Sequence, residues 1–180
     1  MTKSAIQLPL PIEGATIEIP LTQGKTTIVD AIDSDLAEFY WQAAFCPEYS
    51  GNGKYRARRI VGGKKRSNEF LHRVILSRML GRKLLSHELV DHIDTDPLNN
   101  QRSNLRLATP SLNNANQNRR RDNTSGFKGV VFSKWHQKWL ARIQVNGKSF
   151  HLGCFETREE AAIAYQKAAD SFFGEFARYE

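Results

Sequence analysis

Between Val90 and Asn116 the chain reads VDHIDTDPLNNQRSNLRLATPSLNNAN, and no long regular element can be written through it. Apolar side chains occur there singly or in pairs, with almost no sustained period of the kind a core-facing helix or strand requires. What fits is short: a strand ending at His92, a polar loop from Asp94 to Ser103, and a second strand from Asn104 to Ala108. A helix then opens with Thr109 as N-cap and Pro110 at its first position, running through Asn113 and Asn116 to the arginine triplet at 119–121. Side chains that coordinate, donate or accept crowd this stretch, and such groups are costly to bury for packing alone. The stretch reads as an active site.

Asp91 and His92 are adjacent, Asn104 follows the histidine by twelve residues, and Asn113 follows by nine more. Asp91 and Asn113 are hard oxygen donors suited to Mg²⁺ or Mn²⁺, with positions left for water and phosphate oxygens. The alternatives are a capping or salt-bridging role for Asp91 and a helix-surface place for Asn113. His92, neutral near pH 7, can take a proton from water as a general base. Neighbouring strand residues point to opposite faces, so both side chains reach one site only if the strand ends or twists there.

The net charge is +7 and the isoelectric point about 9.6, which favours a polyanionic partner. That charge is concentrated. Tyr49 to Asn68 holds no acid and seven bases: Lys54, Arg56, Arg58, Arg59, Lys64, Lys65 and Arg66. Asn123 to Phe155 holds no acid and five bases, Lys128, Lys134, Lys138, Arg142 and Lys148, with Arg119, Arg120 and Arg121 between the two zones. Three such zones around one candidate site point to nucleic acid. Cys46 and Cys154 lie far apart and form no CxxC pair, which argues against a disulfide framework and for a reducing compartment. No apolar run approaches a membrane span, and MTKSAIQLPLPIEG makes a poor signal peptide.

Outside the candidate site, ATIEIPL and TTIVDAI read as two strands around a turn at Thr22–Lys25. Asp33-Ser34-Asp35 offers N-caps for a short helix through Trp41, a tryptophan expected in the core. Lys54–Phe70 reads as a hairpin turning at Gly62-Gly63. The following helix presents Leu71, Val74, Ile75, Arg78 and Met79 on one face and ends at Gly81. RRRDNTSG reads as a domain boundary. After it come three strands, FKGVVF, KWLARIQV and KSFHLGCF, then one amphipathic helix. That helix is capped by Thr157 and packs through Ala161, Ala162, Tyr165, Ala168, Ala169 and Phe172.

DHIDTDPLNNQRSNLRLAT…NN resembles the HNH nuclease motif, the ββα-metal fold, in the form found in phage and intron-encoded homing endonucleases. The resemblance spans roughly residues 15–120, including the lead-in IPLTQGK…W…YRARR…FLHRVI. It implies that Asp91 and Asn113 bind a divalent metal, that His92 activates water, and that Asn104 holds the loop and the histidine in place. Residues 124–178 resemble the sheet-reading DNA-binding domain of plant ethylene-response factors, carried by Gly129-Val130, Trp135, Lys138-Trp139, Ala141-Arg142-Ile143, Leu152-Gly153, Phe155 and EEAAIAYQKAA. There the sheet enters the major groove, and the matching positions are Lys128, Val131, Ser133, Trp135, Arg142, Gln144, Ser149 and His151. Val131, Ser133, Ser149 and Gln144 stand where arginines are usual, which implies weaker direct base readout. Trp135 and Trp139 are each open to either a core or a contact role.

The expectation is an α+β chain. Residues 1–53 lead into an HNH core at 54–121, and a three-stranded antiparallel sheet packed on one helix follows at 122–180. The function expected is a Mg²⁺- or Mn²⁺-dependent endonuclease that nicks double-stranded DNA as a monomer or weak dimer. No membrane or small-molecule substrate is expected, and the setting is the cytoplasm of a bacterial or phage-infected cell. The bases expected on DNA are Arg56, Arg58, Arg59, Lys64, Lys65, Arg66, Arg119, Arg120, Lys128, Lys138 and Arg142, with Trp135, Gln144 and His151 beside them. A DNA-binding regulator with an inactive nuclease module is the alternative. An RNA-binding protein is disfavoured because the stacking-aromatic motifs of RNA modules are lacking.

Overall fold

A computed structural model describes residues 14–47, 54–120 and 122–179. Most of the N-terminal segment weighed as a signal peptide, and Arg121, fall outside them. Strands β1 (Thr16–Pro20) and β2 (Thr26–Asp30) pair antiparallel as the alternation of TIEIP and TTIVD predicts, with Ile19, Thr27 and Val29 turned inward. A second, three-stranded antiparallel sheet takes the order β3 (Gln42–Cys46), β4 (Lys54–Val61), β5 (Ser67–Phe70). Helix α1 (Leu71–Leu80) follows and stops at Gly81, whose left-handed φ of 64° lets its amide reach the carbonyl of Arg78.

Two local expectations are corrected here. Asp33 is not a helix cap: it lies inside a 3₁₀ stretch, Ala31–Glu38, and is fully buried between the guanidinium groups of Arg78 and Arg102. A buried carboxylate needs paired charge, and two arginines distant in sequence supply it. The 3₁₀ stretch also ends before Trp41, which is buried as expected and donates its Nε1 hydrogen to the Leu36 carbonyl at 2.8 Å. The buried face of α1 is Leu71, His72, Ile75 and Leu76, while Met79 is exposed.

Strands β6 (Leu89–His92) and β7 (Leu105–Ala108) pair antiparallel, and α2 (Pro110–Asn116) packs against them, giving the ββα unit. Thr109 caps α2 by accepting the amide of Leu112, but the helix ends at Asn116 and does not reach the arginines. Strand β2 leans on the loop between β6 and β7. Ile28 donates to the Leu98 carbonyl at 2.9 Å and accepts from the Asn100 amide at 2.8 Å.

The C-terminal part is the expected three-stranded antiparallel sheet on one helix. Its strands are β8 (Val130–Ser133), β9 (Lys138–Val145) and β10 (Lys148–Phe155), in the order β10-β9-β8 and backed by α3 (Arg158–Phe173). Asn146 and Gly147 both take positive φ, as a two-residue hairpin with right-twisted strands requires. Thr157 and Glu160 form a reciprocal capping box at the start of α3. The buried stripe ends on Phe173 rather than Phe172, which is half-exposed and stacks on Phe150. Gly129 is obligatory, because a Cβ there would sit 2.1 Å from the Tyr165 ring. Ser125, in the stretch read as a domain boundary, is buried, its hydroxyl within hydrogen-bond reach of the carbonyls of Phe127 and Val130.

Two cores meet at β7. One gathers Ile19, Val29, Leu36, Trp41, Leu71, Ile75 and Leu105, while another gathers Ala108, Ala115, Ile143, Tyr165, Phe173 and Phe176. Among the described residues no helix is long and apolar enough to cross a membrane.

Candidate active site

Asp91 and His92 are the last two residues of β6, where the strand ends, and each meets its own set of partners. Asp91 lies directly across from Arg106 in the β6–β7 register and accepts from its Nε at 2.8 Å. The other carboxylate oxygen accepts from Asn116 Nδ2 at 3.1 Å, and the same amide donates to the His92 carbonyl at 2.8 Å. Arg106 is itself held from the C-terminal end of the chain. Its guanidinium stacks 3.5 Å from the Phe176 ring centroid and donates to the Glu175 carbonyl at 3.0 Å. Burial pushes the Asp91 carboxyl up, opposed by these hydrogen bonds from Arg106 and Asn116.

His92 is 6% exposed and its Nε2 lies 3.3 Å from Asn100 Oδ1. The edge of its ring meets the His72 imidazole, centroids 5.3 Å apart. Burial pushes His92 down to about 4, partly offset by the hydrogen bond to Asn100 and the charge of Asp94. Burial holds His72 well below the usual histidine range, and the nearby His92, Arg56 and Arg73 act in the same direction. Both rings are therefore neutral at pH 7.

Asn104 braces the loop. Its Oδ1 accepts the Asp94 amide at 3.0 Å, and its Nδ2 donates to Asp94 Oδ1 at 2.9 Å and to the Asn99 carbonyl at 2.8 Å. Asn113 lies on α2 three residues before Asn116, hence on the same helix face. It is half-buried, and its carboxamide makes no hydrogen bond among the described residues. Among those residues no three His, Cys, Asp or Glu side chains converge as a metal cage would need. Both Asp91 oxygens are spent on Arg106 and Asn116, and the oxygen left unengaged nearby in sequence is the Asn113 carbonyl on α2.

The two buried imidazoles set an acid limit on stability. A histidine whose folded pKa lies below the unfolded value of ~6.5 favours the unfolded state as soon as that state begins to protonate. Stability is complete above pH 6.5 and falls with pH, for His92 down to about 4. Each histidine should contribute a slope of roughly 1.4 kcal/mol per pH unit. Urea unfolding in chelator between pH 7.5 and 5 checks this, and His72→Phe should flatten the slope; an unchanged slope would clear His72.

With this geometry in place, two family models match the chain: HNH endonuclease over residues 69–115 and AP2 domain over residues 125–175. An uncharacterised HNH endonuclease of Acanthamoeba polyphaga mimivirus is 39% identical over 107 residues, covering 59% of this chain and 54% of that protein. Protein 3.8 of Escherichia phage T7 is 37% identical over 90 residues, covering 50% of this chain and 74% of that protein. The chain belongs to the HNH endonuclease family. It carries an AP2 domain at its C-terminal end, where an ethylene-responsive transcription factor of Arabidopsis thaliana is 35% identical over 99 residues, 52% of this chain and 60% of that protein. The chain thus spans about half the length of the mimivirus relative. No solved structure matches it.

The HNH assignment covers α1 and the β6-β7-α2 unit, and the AP2 assignment covers the sheet β8–β10 and α3. On the AP2 sheet, Ala141 and Ile143 face α3, so Arg142 and Gln144 face outward. Their cross-strand neighbours on that open face are His151 and Ser149. Trp135, in the β8–β9 turn, is 91% exposed, whereas Trp139 packs edge-on against Phe132 beside the α3 core. Lys64, Lys65, Arg66, Arg119 and Arg120 are exposed, and Arg120 pairs with Asp122. Other bases expected on DNA have protein partners. Arg59 pairs with Glu69 and stacks on Phe39, Arg58 donates to Gln42, and Lys138 pairs with Glu156. Lys128 donates its ammonium to the carbonyls of Ala115 and Gln117, capping α2 from the AP2 side. Arg56 is half-buried on β4, close enough for its charge to act on His72 and His92.

Asn100, Asn116, Arg106, His72 and Thr27, whose Oγ1 accepts from Asn100 Nδ2, surround the candidate site and were passed over by the sequence reading. Asn116 shares a helix face with Asn113 and could have been reached by the i, i+3 spacing. Thr27 carries no local signal.

Proposed function

We propose that the chain is a metal-dependent DNA endonuclease that hydrolyses phosphodiester bonds, nicks one strand per active site, and is targeted to duplex DNA by its AP2 sheet. The observation that carries this reading is a buried, neutral His92 held by Asn100, next in the chain to a carboxylate that faces a helix bearing an unengaged Asn113. In this mechanism His92 accepts the proton of the water that attacks phosphorus. Asn104 keeps the loop, and hence the imidazole, in place. Asp91 and Asn113 would hold Mg²⁺ or Mn²⁺, which supplies a Lewis acid for the developing charge and the leaving 3′ oxygen. Lys64, Lys65, Arg66 and Arg119 serve phosphate contacts, and Arg142, Gln144, His151 and Trp135 meet the groove. The test is supercoiled plasmid incubated with the protein in Mg²⁺, in Mn²⁺ and in chelator. Open circles that form only with a cation support the proposal, and no conversion under any condition refutes it.

A second reading has one observation in its favour: Asp91 already has both oxygens engaged, by Arg106 and Asn116. On that reading the chain is a DNA-binding regulator whose nuclease module is silent, and it would bind duplex without converting plasmid. Either reading predicts that Arg142→Ala weakens duplex binding by roughly 1–3 kcal/mol if the guanidinium reaches a base edge. Fluorescence anisotropy over a salt series checks this. Unchanged affinity at every salt concentration would remove the open face of the sheet from the DNA interface.

A further inference from the structure

The orientation of the Asn100 carboxamide follows from its neighbours. It is fully buried, with one end 2.7 Å from Thr27 Oγ1 and 3.3 Å from the Pro97 carbonyl. A carbonyl only accepts, so the end facing Pro97 must be the NH₂. Thr27 gives its own hydroxyl hydrogen to the Leu98 carbonyl at 2.7 Å, so towards Asn100 it too must accept. Both neighbours place the nitrogen on that side and leave Oδ1 facing His92. An amide oxygen cannot donate, so the hydrogen between the two residues belongs to His92 Nε2. In a neutral imidazole the lone pair then lies on Nδ1.

We infer that Asn100 is a positioning residue that fixes His92 as the Nε2–H tautomer and leaves Nδ1 as the nitrogen that takes a proton. Thr27 of β2 holds Asn100 in that orientation. The inference rests on the reading of His92 as the base. It extends the working site to the β1–β2 hairpin, which lies outside the residues matched by the HNH family model. The backbone supports the same arrangement: the Asn100 amide donates to the Ile28 carbonyl at 2.8 Å, which pins the Asn100 main chain against β2, the strand that carries Thr27. The His92–Asn100 distance of 3.3 Å is long for a hydrogen bond, as such contacts often are before substrate tightens them.

The experiment is a long-range ¹H–¹⁵N correlation spectrum of full-length protein labelled at histidine, recorded near neutral pH. His92 is assigned by the signal lost in His92→Gln, and nicking is measured in parallel. The expected wild-type result is hydrogen on Nε2. Asn100→Ala should lose that preference and lower the nicking kcat by up to roughly 10⁴-fold, the cost of a wrong histidine tautomer in a catalytic triad, with KM for plasmid unchanged. Thr27→Val should shift both readouts in the same direction, and Thr27→Ser, which keeps the oxygen, should restore them. Hydrogen on Nδ1 in the wild-type protein overturns the inference without any variant having to fold. Unchanged tautomer and kcat in a folded Asn100→Ala also overturn it, while leaving a His92-dependent nuclease standing. Nicking at wild-type rate by His92→Ala would instead remove the base itself, and this inference with it.

Discussion

Replacing His92 with alanine is expected to lower plasmid nicking by at least roughly 10²- to 10⁴-fold, the usual contribution of a positioned proton acceptor. Duplex affinity should stay within a few-fold, because the exposed bases that can meet phosphate, Lys64, Lys65, Arg66 and Arg119, lie elsewhere. The imidazole is buried among Asn100, His72 and the β6 backbone, so its removal also leaves a hole and an unpartnered Asn100 oxygen. Circular dichroism and an unfolding curve must therefore accompany the rate. His92→Gln, which refills much of the hole without an imidazole, should be as inactive as His92→Ala. A folded glutamine variant that nicks at the wild-type rate would end the case for His92 as the base.

Asp91→Ala is expected to cost both activity and stability, through separable causes. Activity falls because a cation ligand is lost, so excess Mn²⁺ should partly restore nicking if Asn113 still binds. Stability falls because Arg106, whose side chain is 12% exposed, keeps its charge and loses its carboxylate. Removing one partner of a buried ion pair typically costs about 3–5 kcal/mol. The double variant Asp91→Ala with Arg106→Leu removes the orphaned charge and should recover much of that stability while remaining inactive. Equal destabilisation in the single and double variants would mean that the pair contributes little. Recovery of activity in the double variant would show that Asp91 serves only to neutralise Arg106.

The features legible in the sequence were those set by short separations. The spacing of Asp91, His92 and Asn104, the Thr109 cap and the Asn146-Gly147 turn are each local, and local rules reach them. Residues whose roles depend on distant chain were misread or missed. Asn100 meets Thr27 across 73 positions, and Asp33 meets Arg102 across 69. Asp33 followed a strand and preceded apolar residues, the pattern of a cap, and only the fold supplies the two arginines that bury it. The shift from Phe172 to Phe173 is a one-residue rotation of a helix stripe, too small for periodicity to resolve when both positions are phenylalanine. Lys128 lies in an acid-free basic run, yet it serves carbonyls at the end of α2 because the AP2 sheet is packed there.

That packing bears on where a cut would fall. Strand β7 gives Leu105 to one core and Ala108 to the other, Arg106 is clamped by Glu175 and Phe176, and Asn146 donates its amide to Ser111 of α2. A cleft of about 820 Å³ between α2 and the sheet is lined by Ser111, Asn114, Lys128, Arg142, Gln144 and Tyr165. The HNH and AP2 parts are therefore joined along a packed seam rather than hung on a tether. A tethered nuclease scatters its breaks over whatever stretch its linker can sweep. A duplex seated on this sheet would meet His92 at one offset, so breaks would collect at a single phosphate position counted from the bound sequence.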